Sequence, residues 1–134
     1  MSDRHLFRAW LPELNKMVTP TKLHYFESGI AVEYKDNGER CLDSAKYNIL
    51  MQCTGLRDKN GNLIYEGDEL NNATFNNDVF TVIWNHKRAE FDVLTDGYES
   101  NVNLYLAMRD NNVRDGGDIV AKIVGNIYES EANP

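Results

Sequence analysis

Cysteine, proline and basic charge are all scarce in this chain of 134 residues, and no stretch of it is continuously apolar. Cys41 and Cys53 are the two cysteines, in no CxxC pair and without a paired-histidine spacing that would complete a zinc site. Two reduced thiols, partly or wholly buried, are expected. No run approaches the ~18 apolar residues of a membrane-spanning helix. Met1–His5 leads straight into alternating residues with no apolar leader segment. A cytoplasmic protein without membrane contact is therefore expected, and the Asn72-Ala73-Thr74 sequon should carry no glycan. HExxH, GxSxG and Walker glycine loops are missing, and His5, His24 and His86 are far apart in sequence. His86 near Cys53 is the base–nucleophile pairing weighed, and no spacing argues for it. The expectation is a protein with no catalytic residues, no cofactor and no metal.

Basic charge is short where it would matter for nucleic acid. Residues 1–53 carry seven Lys/Arg and seven Asp/Glu, whereas residues 54–134 carry seven and fourteen, which accounts for the whole net charge of −7. Non-specific affinity for nucleic acid comes mostly from cations that neutralise phosphates, so the second half lacks the main driving force. Solubility is the plain reading of such an acidic surface. Nucleic-acid association remains the runner-up, through Arg4, Arg8, Lys16 and Lys22 of the neutral half, through an aromatic groove, or as an acidic mimic of DNA. The aromatic residues Trp10, Tyr25, Phe80, Trp84, Phe91, Tyr98 and Tyr105 could form a base-stacking platform, but core packing is the better reading.

What is present is ordinary for a globular domain: 42% hydrophobic and 26% charged residues, arranged in short β-type segments between turn signals. Leu6 to Trp10 and Met17-Val18 flank the turn residues Pro12 to Lys16; Leu23 to Phe26 is ambiguous; Ile30 to Tyr34 and Arg40 to Leu42 flank Asn37-Gly38, whose residues both tolerate positive φ. Asp43-Ser44 could cap a brief helical turn, and Tyr47 to Cys53 suits a buried strand. Thr54 to Leu70 holds glycines at 55, 61 and 67 and reads as linked tight turns around Leu63, Ile64 and Tyr65. Val79 to Trp84 and Ala89 to Thr95 form a hairpin, with Phe80, Val82 and Trp84 on one face, and Asp96-Gly97 turns again. Val102 to Met108 fits a strand or a helix. Asp110 to Asp118 is loop, Ile119 to Tyr128 a last strand, and Ser130 to Pro134 a loose tail.

Asp58, Asn60, Asn62 and Glu69 occupy positions 1, 3, 5 and 12 of a hypothetical calcium loop. Leu63 stands where that loop requires glycine, and no helical pattern flanks it, so a turn rich in Asp, Asn and Gly is the better reading.

Leu50 to Gly61, continuing through Ile64-Tyr65-Glu66-Gly67-Asp68, resembles the central motif of the YopX family. Phe7-Arg8-Ala9-Trp10 resembles that family's N-terminal element and Ile123 to Glu129 its closing strand, so the matches run in order along nearly the whole chain. Cys53 departs from a common aromatic residue and Glu69 from a usual aliphatic one. The resemblance implies a mainly β protein, α+β being the variant, with N-terminal β-hairpins (1–53) packed on an SH3-like small barrel (54–134) as one compact unit. It further implies a phage or prophage protein of unassigned role that forms homo-oligomers. The family-motif residues Thr54, Gly55, Leu56, Asp58, Asn60, Gly61, Tyr65, Glu66, Gly67, Asp68, Gly125, Asn126 and Tyr128 are expected to be structural. The leading functional expectation is a non-enzymatic, self-associating module that contacts a host or phage protein.

Overall fold

The computed structural model describes residues 6–44, 48–74, 78–95, 98–110, 112–113 and 117–132. The chain divides into one unit ending at Gln52 and another beginning at Cys53. Among the described residues all strand pairings are antiparallel.

In the first unit, β1 (Phe7–Leu11) pairs on one side with β2 (Lys16–Val18) and on the other with the opening residues of β6 (Ile49–Arg57). A separate three-stranded sheet runs in the order β3 (Lys22–Phe26), β4 (Gly29–Asp36), β5 (Glu39–Asp43). The β4–β5 turn is made by Asn37 and Gly38, at φ 51° and 82°. Two successive positive-φ residues give a turn whose twist matches its strands, which is why Asn-Gly marks it in the sequence. Ile30, Val32 and Tyr34 face inward with Leu23 and Cys41, against Ala9, Leu11 and Val18. Leu11 and Val32 are 0% and 1% exposed, and burying such side chains stabilises by about 1.5–3 kcal/mol each.

In the second unit, a five-stranded sheet in the order β11 (Tyr98–Asn103), β10 (Glu90–Thr95), β9 (Asp78–Asn85), β8 (Asp68–Asn72), β12 (Lys122–Asn126) curls into a half-barrel. The end of β6 pairs with β7 (Leu63–Tyr65). Two short helices complete the unit, α1 (Leu104–Met108) and α2 (Ile127–Ala132). Ile64, Leu70, Phe80, Val82, Val93, Leu104 and Met108 form its core. Phe80 and Val82 face this core, and Trp84, further along the same strand face, is half-buried.

Several sequence expectations are corrected. Thr54 to Arg57 is not turn but the continuation of β6, and the linked turns are confined to residues 58–62 and to Glu66-Gly67, on either side of β7. Apolar Leu56 gains more from packing on the core than from a loop position. Asp43 ends β5 and Ser44 is irregular, so neither starts a helix; Ala45 to Tyr47 lie outside the described residues, as does the Asp96-Gly97 turn. The last strand is shorter than Ile119 to Tyr128: Ile119 makes an isolated bridge to Arg109, β12 spans Lys122–Asn126, and Ile127 opens α2. Ser130 belongs to that helix and not to a loose tail. The ambiguous stretch resolves as both alternatives, β11 to Asn103 and α1 from Leu104, with the Asn103 side chain accepting from Leu106 N at 2.9 Å.

Candidate functional site

The glycine-spaced segment between β6 and β8 is held by two aspartates. Asp58 is 5% exposed; its Oδ1 accepts from Asn60 N (3.0 Å) and Asn62 N (2.9 Å), and its Oδ2 accepts from Ile123 N in β12 (3.0 Å). Burial opposes its ionisation, but the backbone donors from Ile123, Asn62 and Asn60 outweigh it and lower the pKa. The oxygens that a calcium loop would offer to a cation are therefore turned onto this protein's own amides. Lys59 N also donates to Ala121 O at 3.0 Å, a second tie to the approach of β12. Gly61 N donates to Asp58 O (3.0 Å) and Gly61 O accepts from Arg57 Nη1 (2.8 Å). Asp68, 1% exposed, takes Tyr65 N at 2.8 Å and closes the next turn, through Glu66 and Gly67. Gly67 N donates to Val82 O (2.9 Å) and Gly67 O accepts from Ile127 N (3.0 Å).

The remaining motif residues complete this frame. Thr54 Oγ1 donates to Ile64 O (2.8 Å) and accepts from Leu56 N (3.1 Å), beside a register shift in the β6–β7 pairing that includes Gly55, at φ 83°. Gly125 lies at a register shift in the β12–β8 pairing, opposite Glu69. Asn126 accepts from Glu129 N at 2.9 Å and caps α2, where Tyr128 is half-buried. Asn72, for which the sequence offers no signal beyond a sequon, is wholly buried: its amide donates to Ala107 O (2.8 Å) and Arg109 O (2.9 Å), and its carbonyl accepts from Thr74 N and Oγ1.

The motif also lines one side of an open cleft of about 420 Å³. Thr54, Gly55 and Leu56 meet Trp84, Phe91 and Tyr105 there, with Glu90 and Asn103 at its polar side. Trp84 and Phe91 pack edge to face, their ring centres 5.0 Å apart. Of the aromatic platform considered from sequence, these two and Tyr105 come together; Phe80 and Trp10 are buried, Tyr25 lies in the other unit, and the Tyr98 side chain is outside the described residues. Glu90 sits beside Asp92, and the hydrogen bond to Asp92, then burial, raise its pKa above the ordinary range, against the pull of Arg88. Arg88 Nε lies 2.9 Å from Glu90 Oε1. Among the described residues, no three His, Cys, Asp or Glu side chains gather where a metal ion could sit, and no helix is long and apolar enough to cross a membrane.

In the first unit, the outward face of the three-stranded sheet carries a charged network. Glu33 Oε1 meets Arg40 Nη2 at 2.8 Å and His24 Nε2 at 3.0 Å. The side-chain hydrogen bonds from Arg40 and then His24 bring Glu33 down to about 2.

A family model described as YopX protein matches residues 6–132. The chain belongs to the YopX family. No curated protein matches it. Among solved structures it is similar to protein EF1440 from Enterococcus faecalis, with 20% sequence identity over 94% of each chain and a TM-score of 0.57. At that identity the likeness extends to the fold alone. Within the YopX fold, the Thr54–Asp68 motif connects β6 to the half-barrel and ties its turn to β12.

Proposed function

We propose that this YopX protein is a non-enzymatic accessory protein of phage or prophage type, which acts by contact inside the cell and self-associates along β3. The observation that carries this reading is the make-up of β3. Among the described residues it is an edge strand, paired only with β4, and its neighbours Tyr25 and Phe26 are 68% and 62% exposed on opposite faces. An edge strand with unpaired backbone and exposed aromatic rings is a template for another strand. Two copies meeting edge to edge about a two-fold axis would pair β3 with β3 and cover the same rings on both.

Size-exclusion chromatography with light scattering tests this at tens of micromolar protein. A dimer or larger species, reduced to monomer by Tyr25→Ser with Phe26→Ser, is the expected result. A wild-type protein that stays strictly monomeric overturns the self-association.

A further inference from the structure

We propose that Asn37, at the tip of the β4–β5 hairpin, is a site of spontaneous covalent modification: it loses its side-chain amide through a succinimide formed with Gly38. The chain's other Asn-Gly pair, Asn60-Gly61, is held back from the same reaction by the motif around Asp58. This goes beyond self-association and uses none of the β3 residues, so either reading can fail without the other.

The chemistry needs a backbone nitrogen that can reach the preceding side chain, and glycine offers one that no Cβ shields. Hydroxide removes the Gly38 amide proton, and the nitrogen attacks Asn37 Cγ. The new N–Cγ bond forms as the Cγ–Nδ2 bond breaks, and water supplies the proton with which the amide nitrogen departs as ammonia. A second water then opens the ring. Opening at Cγ leaves an ordinary aspartyl residue; opening at the backbone carbonyl leaves an isoaspartyl link, in which the chain runs on through Cβ and Cγ.

Exposure does not separate the two pairs, because Asn37, Gly38, Asn60 and Gly61 are all exposed. Hydrogen bonding does. Gly61 N donates to Asp58 O at 3.0 Å, and the amides on either side, Asn60 N and Asn62 N, donate to Asp58 Oδ1 at 3.0 and 2.9 Å. Gly61 O accepts from Arg57 Nη1 at 2.8 Å, and Asp58 is itself tied to β12 through Ile123 N. The attacking nitrogen of this pair is thus a committed donor inside an anchored turn. Among the described residues, no hydrogen bond holds Gly38 N or the Asn37 side chain. The turn at φ 51° and 82° is closed by the last pair of the sheet, Asp36 with Glu39, both exposed, and a Cβ on Gly38 would meet nothing within 4 Å. Such a terminal pair frays at little cost, and from the frayed tip the Asn37 side chain can turn onto Gly38 N.

The consequence for the sheet is lasting. Both products place a new negative charge between Asp36 and Glu39, and the isoaspartyl link lengthens the backbone of a turn whose closure depends on two successive positive-φ residues. Arg40, opposite Lys35 in the hairpin, is then drawn out of register and away from Glu33 Oε1, which it now meets at 2.8 Å.

The test incubates the full folded chain for several weeks at mildly alkaline pH, in parallel with the same chain unfolded in guanidinium chloride, and follows both by tryptic digestion and mass spectrometry. Trypsin cuts after Lys35, Arg40 and Lys59, so the two asparagines fall in separate peptides, and fragment spectra locate each amide turned to acid. In the unfolded chain the two should react at similar rates. In the folded chain Asn37 should outpace Asn60 about tenfold or more, since Asn60 must first give up several backbone hydrogen bonds. The proposal is overturned if Asn37 keeps its amide throughout, if Asn60 reacts as fast or faster in the folded chain, or if the unfolded chain shows the same preference for Asn37 as the folded one.

Discussion

Asp58 concentrates much of the motif's fold in one side chain, since its two oxygens accept three backbone amides, one of them from β12. Removing the carboxylate leaves those donors without partners, so Asp58→Ala should cost about 3 kcal/mol in urea unfolding. Asp58→Asn keeps one accepting oxygen and should cost less. Glu33 makes a prediction in pH. Its ordinary value is 4.5 and the folded value about 2, so the unfolded chain binds the proton more readily. Its contribution is complete above about 4.5 and is lost as pH falls toward about 2. Melting curves across that interval should be less steep in pH for Glu33→Gln than for the wild type; parallel curves would show that the Arg40–His24 network contributes nothing. Neither aspartate nor glutamate announced its partners in the sequence. Asp58 was legible as a turn residue, but its bond to Ile123 spans a separation no local pattern reports.

At the scale of elements, hairpins with strong turn chemistry were readable and element ends were not. Asn37-Gly38 placed β4 and β5 because the turn needs two positive-φ residues in succession. Gly61 tests the same principle: at φ 84° it has open space where a Cβ would stand, with nothing within 4 Å, so Gly61→Ala meets only backbone strain and should cost about 1–2 kcal/mol by thermal unfolding. A much larger loss would mean that the turn carries contacts beyond its conformation. The β12–α2 junction escaped because alternating apolar residues run through Gly125, where the register shifts. A signal was there, Asn126 followed three residues later by Glu129, a pattern that opens helices. The α1 helix was ambiguous for a sound reason: residues 102, 104, 106 and 108 are apolar, yet Leu106 is 56% exposed while Ala107 is buried, which is helical spacing. The cleft could not be read at all, because its walls come from three separated segments that meet only in the folded sheet.

At the scale of the whole molecule, the net charge of −7 is the dominant variable. With fourteen of the acidic residues in 54–134, like-charge repulsion opposes compaction there. Raising salt from low to physiological ionic strength should therefore raise the melting temperature measured by calorimetry. A fall would mean that attractive pairs such as Glu33–Arg40 outweigh the repulsion. Mainly β architecture followed from the turn spacing and the composition, and the family was legible because its three motifs occur in order.

The hydrogen bond from Ile123 to Asp58 joins positions 65 residues apart. During synthesis the ribosome releases Asp58 long before its β12 donor, at roughly 5–20 residues per second, so the clamp stays unmade for several seconds. Over that interval the first unit already has every strand it needs, whereas β8 waits with one edge unpaired until β12 arrives. A nascent chain stalled before residue 123 should engage chaperones through that open edge.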